Sequence, residues 1–221
     1  MHFLKLLPVA AIFMLLSLPV FAQQHQQMNS SQSQKIEGIP KGWNVRFDHA
    51  SADGSDVEFT VNNGVLHFNA DAKGAAIYYK PEMRASGSFS VNGTFSQLEK
   101  THHPEAYGLF IGGNNLQKDN QQYLYFLIHQ GGKFLIKRRT GDHTETIVDW
   151  KASDAVHALG NASSVTNKLE IKRTNDAVTF WANGQQVKRI PASQLKYLDG
   201  IAGLRINHHL NVKVTGFKLD K

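Results

Sequence analysis

The stretch AYGLFIGGNNLQKDNQQYLYFLIHQGGKFLIKRR, residues 106–139, decides the fold class. It contains three runs rich in β-branched and aromatic residues, which fit a pleated, half-buried sheet surface. The turn-rich GGNNLQKDN separates AYGLFI from QYLYFLIH, and Gly131 and Gly132 separate the latter from KFLIKRR. A Gly-Gly pair between two strand-like runs is typical of a β-hairpin. The stretch therefore predicts the centre of an antiparallel sheet.

Similar segments continue on both sides of this stretch. VEFTVNNGVLHFN and AVTFWANGQQVKRI each place an Asn-Gly pair between alternating runs, which predicts two further hairpins. AAIYY is predicted to end at Pro81, and residues 191–198 are predicted to form a short helix with a proline in its first turn. About a dozen short strands with almost no helix exclude a parallel α/β sheet. The sequence predicts an all-β protein, a two-sheet antiparallel β-sandwich of jelly-roll type.

The N-terminus has the pattern of a secretory signal. Residues 1–22 contain one lysine and a short apolar run, and they end in Val20, Phe21 and Ala22, which suit a signal peptidase. An uncleaved membrane anchor is the alternative. Residues 23–38 are predicted to be a polar flexible linker, and residues 39–221 the β-sandwich domain, with no membrane span after removal of the signal. The absence of cysteine favours a bacterial periplasmic or secreted protein that is stabilised by packing alone.

Charge excludes one class of partner. The formal net charge is +6, but the basic residues are scattered over several predicted strands rather than gathered in one stripe. Nucleic-acid binding normally needs such a stripe, so no nucleic-acid partner is expected. A solvated sheet face is the favoured explanation, with a weak attraction to anionic polysaccharides or envelope surfaces as the alternative. The sequence indicates no oligomeric state.

The segment NKLEIKRTNDAVTFWANGQQV resembles a hairpin common in concanavalin A-like sandwiches, and GIAGLRINHHLNVKVTGFKL is similar to their closing strands. Laminin G-like modules, family 16 glycosidases and the 3-keto-disaccharide hydrolase domain family share this layout. The resemblance extends from Trp43 to Leu219 and implies the concanavalin A-like lectin/glucanase fold. It implies either sugar binding or glycoside hydrolysis, because the fold carries both.

Catalysis of the family 16 type needs two carboxylates about 5 Å apart. In that family two glutamates lie two to four residues apart on one strand, around an aspartate. No glutamate that follows the predicted signal has an acid two positions later, so this motif is absent. Glu105 and Asp149 are the pair that separate strands could bring together, and the alternative for each is a solvated acid at a strand end.

The sequence does not predict a firm metal site. Adjacent histidines on a strand point to opposite faces, so His102-His103 and His208-His209 can each supply only one ligand to a given site. No cofactor is expected, and calcium is the alternative, because Asn115 and Asp119 offer oxygen ligands in one loop. Turn formation explains the same two residues.

The alternation of side chains along the predicted strands indicates a ligand-binding sheet face. Core positions are predicted for Leu124, Phe126, Ile128, Phe134 and Ile136. The opposite face would carry aromatic and planar polar groups that suit a carbohydrate or polysaccharide: Tyr123, Tyr125, His129, Lys137, Arg139, Arg205, Asn207 and His209. The alternative is that the tyrosines belong to the core and the cations to an ordinary surface. The leading hypothesis is a non-catalytic carbohydrate-binding protein, followed by a glycoside hydrolase and then by a protein-binding adhesion module.

Overall fold

A computed structural model describes residues 38–221 of the chain, so the predicted signal and nearly all of the predicted linker lie outside the described residues. Two seven-stranded antiparallel sheets pack face to face, which confirms the predicted β-sandwich. The front sheet has the strand order β1 (Asn44–Phe47), β4 (Ala76–Ala85), β13 (Gly200–Ile206), β6 (Ala106–Asn114), β7 (Gln122–His129), β8 (Lys133–Thr140) and β9 (His143–Ala152). The back sheet has the order β12 (Gln185–Pro191), β11 (Ala177–Ala182), β10 (Val165–Arg173), β5 (Phe89–Gln97), β14 (Leu210–Asp220), β3 (Val65–Ala70) and β2 (Val57–Asn62).

The core lies between the two sheets and is built by alternation along each strand. Phe126 of the front sheet meets Phe180 of the back sheet with 5.5 Å between ring centroids. All five residues that the sequence assigns to the interior are buried in this core: Leu124, Phe126, Ile128, Phe134 and Ile136. The apolar face of each sheet is thereby removed from water, and this burial is the main stabilising contribution to the fold.

Helical structure is nearly absent from residues 38–221. Two 3-10 turns occur, at Gly54–Asp56 and Ala192–Gln194. The helix predicted for residues 191–198 is therefore wrong beyond a single turn. No helix in the described part of the chain is long and apolar enough to cross a membrane.

Pro81 does not end its strand as predicted, because β4 continues through it to Ala85. The pairing of β1 with β4 ends at Tyr79, and the pairing of β13 with β4 shifts register between Ile201 and Gly203. Neither neighbour pairs with Pro81, so its missing N–H removes no ladder hydrogen bond, and the strand tolerates it.

Candidate functional site

The outward side of the front sheet, here called the front face, brings together the central predicted residues. Because Leu124, Phe126 and Ile128 enter the core, alternation directs Tyr123 and Tyr125 outwards. The antiparallel register sets Arg139 opposite Tyr123 and Lys137 opposite Tyr125. The predicted grouping of these four residues on one face is confirmed, while their binding of a ligand stays a prediction.

A buried ion pair fixes Arg205 on the front face. Its two terminal nitrogens donate to the two carboxylate oxygens of Asp48, Nη1 to Oδ1 at 3.2 Å and Nη2 to Oδ2. Nη1 also donates to the hydroxyl of Tyr123 at 3.2 Å, and the guanidinium carbon lies 5.2 Å from the ring centroid of Tyr125. A two-pronged pair of this kind holds the planar guanidinium in one orientation.

Charge states on the front face follow from this arrangement. Burial by itself raises the pKa of Asp48, but the charge and hydrogen bonds of Arg205, aided by Arg139 and Arg46, hold that pKa below its usual value. Burial raises the pKa of both Tyr123 and Tyr125. At neutral pH the ion pair is therefore charged and both tyrosines are neutral.

The tyrosine rings are enclosed rather than open to solvent. Tyr123 and Tyr125 are only 1% and 5% exposed. Leu116, on the loop between β6 and β7, belongs to the same buried cluster, and Gln117 on that loop donates to the hydroxyl of Tyr79 at 2.9 Å. This burial argues against flat stacking of a sugar on Tyr123 or Tyr125. Tyr123 instead accepts a hydrogen bond from Arg205, and Tyr125 packs beneath its guanidinium.

Trp150 supplies the exposed aromatic surface that the tyrosines lack. Its side chain is 38% exposed, and its ring meets that of His129 edge to face at 4.6 Å. Val148 pairs with the core residue Ile136, so simple alternation would direct Trp150 inwards as well. Register shifts between β8 and β9 on both sides of Ile136 turn the tryptophan outwards. Sequence alternation therefore missed this residue, and Asp48 and Arg46 carried no local signal at all.

His129 supports Trp150 as a largely buried, neutral ring. It is 8% exposed, and its Nδ1 accepts a hydrogen bond from the amide of Gly131 at 2.9 Å. Burial lowers the pKa of His129, and the charge of Lys133 lowers it further. Because Nδ1 is an acceptor, the proton of the neutral ring resides on Nε2.

Asn207 and His209 do not continue the face that begins at Arg205. The strand β13 ends at Ile206, and His209 has a positive φ of 53° in the turn that leads to β14. The predicted alternation through these residues is wrong because the chain turns there. His209 instead lines a cleft of about 620 Å³, together with His102, His103, His208 and Glu105.

The structure does not pair Glu105 with Asp149. Glu105 directly precedes β6, and its Oε1 lies 3.1 Å from Nε2 of His208. Asp149 lies on β9 and accepts a hydrogen bond from the amide of Trp150. Strands β7 and β8 lie between β6 and β9, which separates their backbones by about 14 Å at the usual strand spacing. Carboxyl groups of a retaining glycosidase lie only about 5 Å apart.

The loop proposed for calcium is organised by turns and by an arginine. Asn115 has a positive φ of 52°, and its carbonyl accepts the amide of Lys118 at 2.8 Å. Arg46 donates to the carbonyl oxygens of Leu116 at 3.4 Å and Lys118 at 3.1 Å, and Asp119 lies beside it. No group of three or more His, Cys, Asp or Glu side chains could hold a metal within residues 38–221.

Comparison with known proteins identifies the fold. No protein family model and no curated protein sequence matches the chain. Among solved structures, the carbohydrate-binding module CBM66 from Bacillus subtilis is similar in fold, with 9% identity and a TM-score of 0.58. The alignment covers 81% of this chain and 96% of the module. A protein of unknown function with a galectin-like fold, also from Bacillus subtilis, has 14% identity and a TM-score of 0.59. That alignment covers 81% of this chain and 89% of the other. The fold is that of the concanavalin A-like lectins and glucanases.

A solved structure of a GH16 protein is nearly as similar in shape. The mixed-linkage glucan GH16 protein of Bacteroides ovatus has 8% identity and a TM-score of 0.56. The alignment covers 81% of this chain and 95% of the GH16 chain. At such identities the concanavalin A-like fold is shared while function is not determined by it. The side chains of the front face therefore carry the functional argument.

Proposed function

We propose that this concanavalin A-like chain is a carbohydrate-binding protein that uses its front face and has no catalytic activity of its own. The observation that carries the proposal is the combination on one sheet of a rigidly held arginine, two further cations and an exposed tryptophan. Aromatic rings pack against the apolar faces of sugars, and fixed polar groups hydrogen-bond to their hydroxyls. The shared fold with CBM66 supports the same conclusion.

The absence of catalysis is proposed from the acids of the site. Asp48 is engaged by Arg205, and Glu105 directly precedes β6 while Asp149 lies on β9, with β7 and β8 between those two strands. A retaining or inverting mechanism needs two carboxyl groups at a defined short separation across one bond. The carboxylate of Asp48 is thus already used in an ion pair.

Binding and catalysis are separated by two assays on the same protein. A glycan array that includes plant, bacterial and host glycans should give hits, and each hit should yield no reducing sugar on prolonged incubation. Release of reducing sugar would establish the hydrolase alternative instead. An array without any hit would overturn both and favour the adhesion module.

Trp150→Ala is expected to weaken binding of an array hit about tenfold, because the exposed aromatic contact with the sugar is lost. Trp181→Ala is the matched control, since Trp181 lies on the back sheet beside Lys172. Dissociation constants from calorimetry should change for the first variant and not for the second. Equal affinities for both variants would remove Trp150 from the site.

We also propose that the protein is secreted or periplasmic. The proposal rests on the signal-like pattern of residues 1–22 and on the absence of cysteine from the chain. Cell fractionation followed by N-terminal sequencing of the exported form should give a chain that begins at Gln23. A form that retains Met1 and stays with the membrane would indicate an anchor.

A further inference from the structure

One strand of the front face carries three cations on its outward side. Along β8, Phe134 and Ile136 enter the core, so alternation directs Lys133, Lys137 and Arg139 outwards. We call these three residues the basic strip. Its cross-strand neighbours on β7 are His129, Tyr125 and Tyr123, none of which is an acid.

The charges of the basic strip are not neutralised by ion pairs. Within residues 38–221, no carboxylate lies within ion-pair distance of its three members, and on β9 Thr146 and Thr144 face Lys137 and Arg139. Arg138, between those two cations, behaves differently: it pairs with Glu145 and shares the side of the sheet on which Leu124 lies. The outward cations are thus left available to a ligand.

The strip has the dimensions of an extended ligand. Lys133 and Arg139 are six residues apart on one strand, a distance of about 20 Å. Lys133 lies opposite His129, which contacts the exposed Trp150. At the far end, Arg139 lines a cleft of about 400 Å³ with Arg46, Gln121, Gly141, Asp119 and Asp142.

We propose that the basic strip binds the carboxylates of an acidic, uronic-acid-containing polysaccharide along the front face. This inference rests on the proposed function and specifies its ligand class. Unpaired cations spaced along a strand attract a polymer that repeats a negative charge. Arg139 donates its Nε to the carbonyl of Gly141 at 2.7 Å, which orients the guanidinium and leaves its two terminal nitrogens as paired donors for a carboxylate. The formal net charge of +6 falls to +5 when Lys5 is removed with the predicted signal, and this positive charge favours the same encounter. The negative charges of Asp119 and Asp142 beside Arg139 repel an acidic polymer and limit how tightly it binds at that end of the basic strip.

The test uses ligands that differ only in charge. Calorimetry on the full chain compares oligomers of several uronic acids with their methyl esters, which keep the sugar rings and remove the charge. The acidic oligomers should bind, the esters should bind at least about fivefold more weakly, and added salt should weaken only the former. Single-stranded DNA of matched length is included as a polyanion without sugar carboxylates.

Variants that remove a positive charge, and one that removes a negative charge, test where the ligand binds. Lys137→Gln with Arg139→Gln should weaken binding of the acidic oligomer about three- to tenfold, and Asp142→Asn should strengthen it by about twofold. Lys188→Gln with Arg189→Gln removes the same charge from the exposed β12 of the back sheet and should leave affinity unchanged. Lys137→Gln alone serves if the double variant melts early, because Arg139 donates its Nε to the carbonyl of Gly141 at 2.7 Å, whereas Lys137 makes no side-chain hydrogen bond of this kind within residues 38–221.

Each outcome separates the ligand class from the proposed function. If neutral glycans bind in a Trp150-dependent way and acidic oligomers do not, the basic strip is not the ligand site and the carbohydrate-binding function stands. If no glycan binds at all, both conclusions fall. If DNA binds as tightly as the acidic oligomers, or the back-sheet variant weakens binding equally, the attraction is general charge and the inference is overturned.

Discussion

Replacing Arg205 with alanine is expected to lower the free energy of unfolding by about 3 kcal/mol. Arg205 is 9% exposed and makes a two-pronged ion pair with Asp48 across 157 residues of sequence. Removal of one partner of a buried pair leaves the other charge desolvated and unpaired, which typically costs about 3–5 kcal/mol. The lower end of this energy range applies because the side chain of Asp48 is still 30% exposed to solvent. Urea denaturation monitored by tryptophan fluorescence provides the measurement.

A double-mutant cycle isolates the ion pair from other losses. Asp48→Asn, Arg205→Ala and the double variant should show a coupling energy, since the double variant no longer contains an unpaired buried charge. Arg205→Lys keeps the positive charge and loses the paired geometry, so its stability should lie between the wild type and Arg205→Ala. A loss below about 1 kcal/mol for Arg205→Ala would place this pair among ordinary surface pairs.

Acidification should remove the contribution of the same pair. Burial by itself raises the pKa of Asp48, but the charge and hydrogen bonds of Arg205, together with the charges of Arg139 and Arg46, hold the folded-state pKa below that of an unfolded aspartate. A lowered folded pKa means that the pair stabilises the protein fully above about pH 4 and that this stabilisation is lost as pH falls through the folded pKa. Asp48→Asn lacks this titration. Its stability, measured by urea denaturation between about pH 5 and pH 2, should therefore fall less steeply than that of the wild type.

The sequence was sufficient for the parts of this site that depend on local pattern. Gly131 and Gly132 close the turn between β7 and β8, and Gly132 adopts a positive φ of 72° with its amide bonded to the carbonyl of His129. Once that hairpin is fixed, strict alternation places Tyr125 outside and Phe126 inside. Turn chemistry and side-chain period are encoded within a few residues, so they can be predicted without the rest of the fold.

The residues that were missed depend on contacts remote in sequence. Asp48 follows β1, and only the sheet order that inserts β4 between β1 and β13 brings it to Arg205. Trp150 reaches the front face through irregular pairing of β8 with β9, and the two-residue period contains no sign of that irregularity. The alternation assumed through His209 failed for a related reason, because the chain leaves β13 at Ile206. Strand order and bulges are set by packing of the whole sandwich.

The role of Gly112 also depends on contacts remote in sequence. The sequence predicted a turn at this residue, but in the structure β6 continues through it to Asn114. Gly112 has a positive φ of 68°, and a Cβ at this position would overlap the carbonyl oxygen of Tyr197. Asn114 ties the same point to the following loop by donating to the carbonyl of Asp199 at 2.8 Å. The glycine thus marks a close approach of two chain segments rather than the end of a strand.

Gly112→Ala is expected to lower the free energy of unfolding by about 3 kcal/mol. A left-handed backbone costs a residue with a Cβ about 1–2 kcal/mol, and displacement of the packed carbonyl of Tyr197 adds about 1–3 kcal/mol. Gly64→Ala is the matched control, because Gly64 has a similar φ of 77° with no atom within 4 Å of an added Cβ. That variant should lose only the backbone contribution, about 1–2 kcal/mol. Equal losses in the two variants, measured by urea denaturation, would show that the contact with Tyr197 adds nothing to the backbone effect.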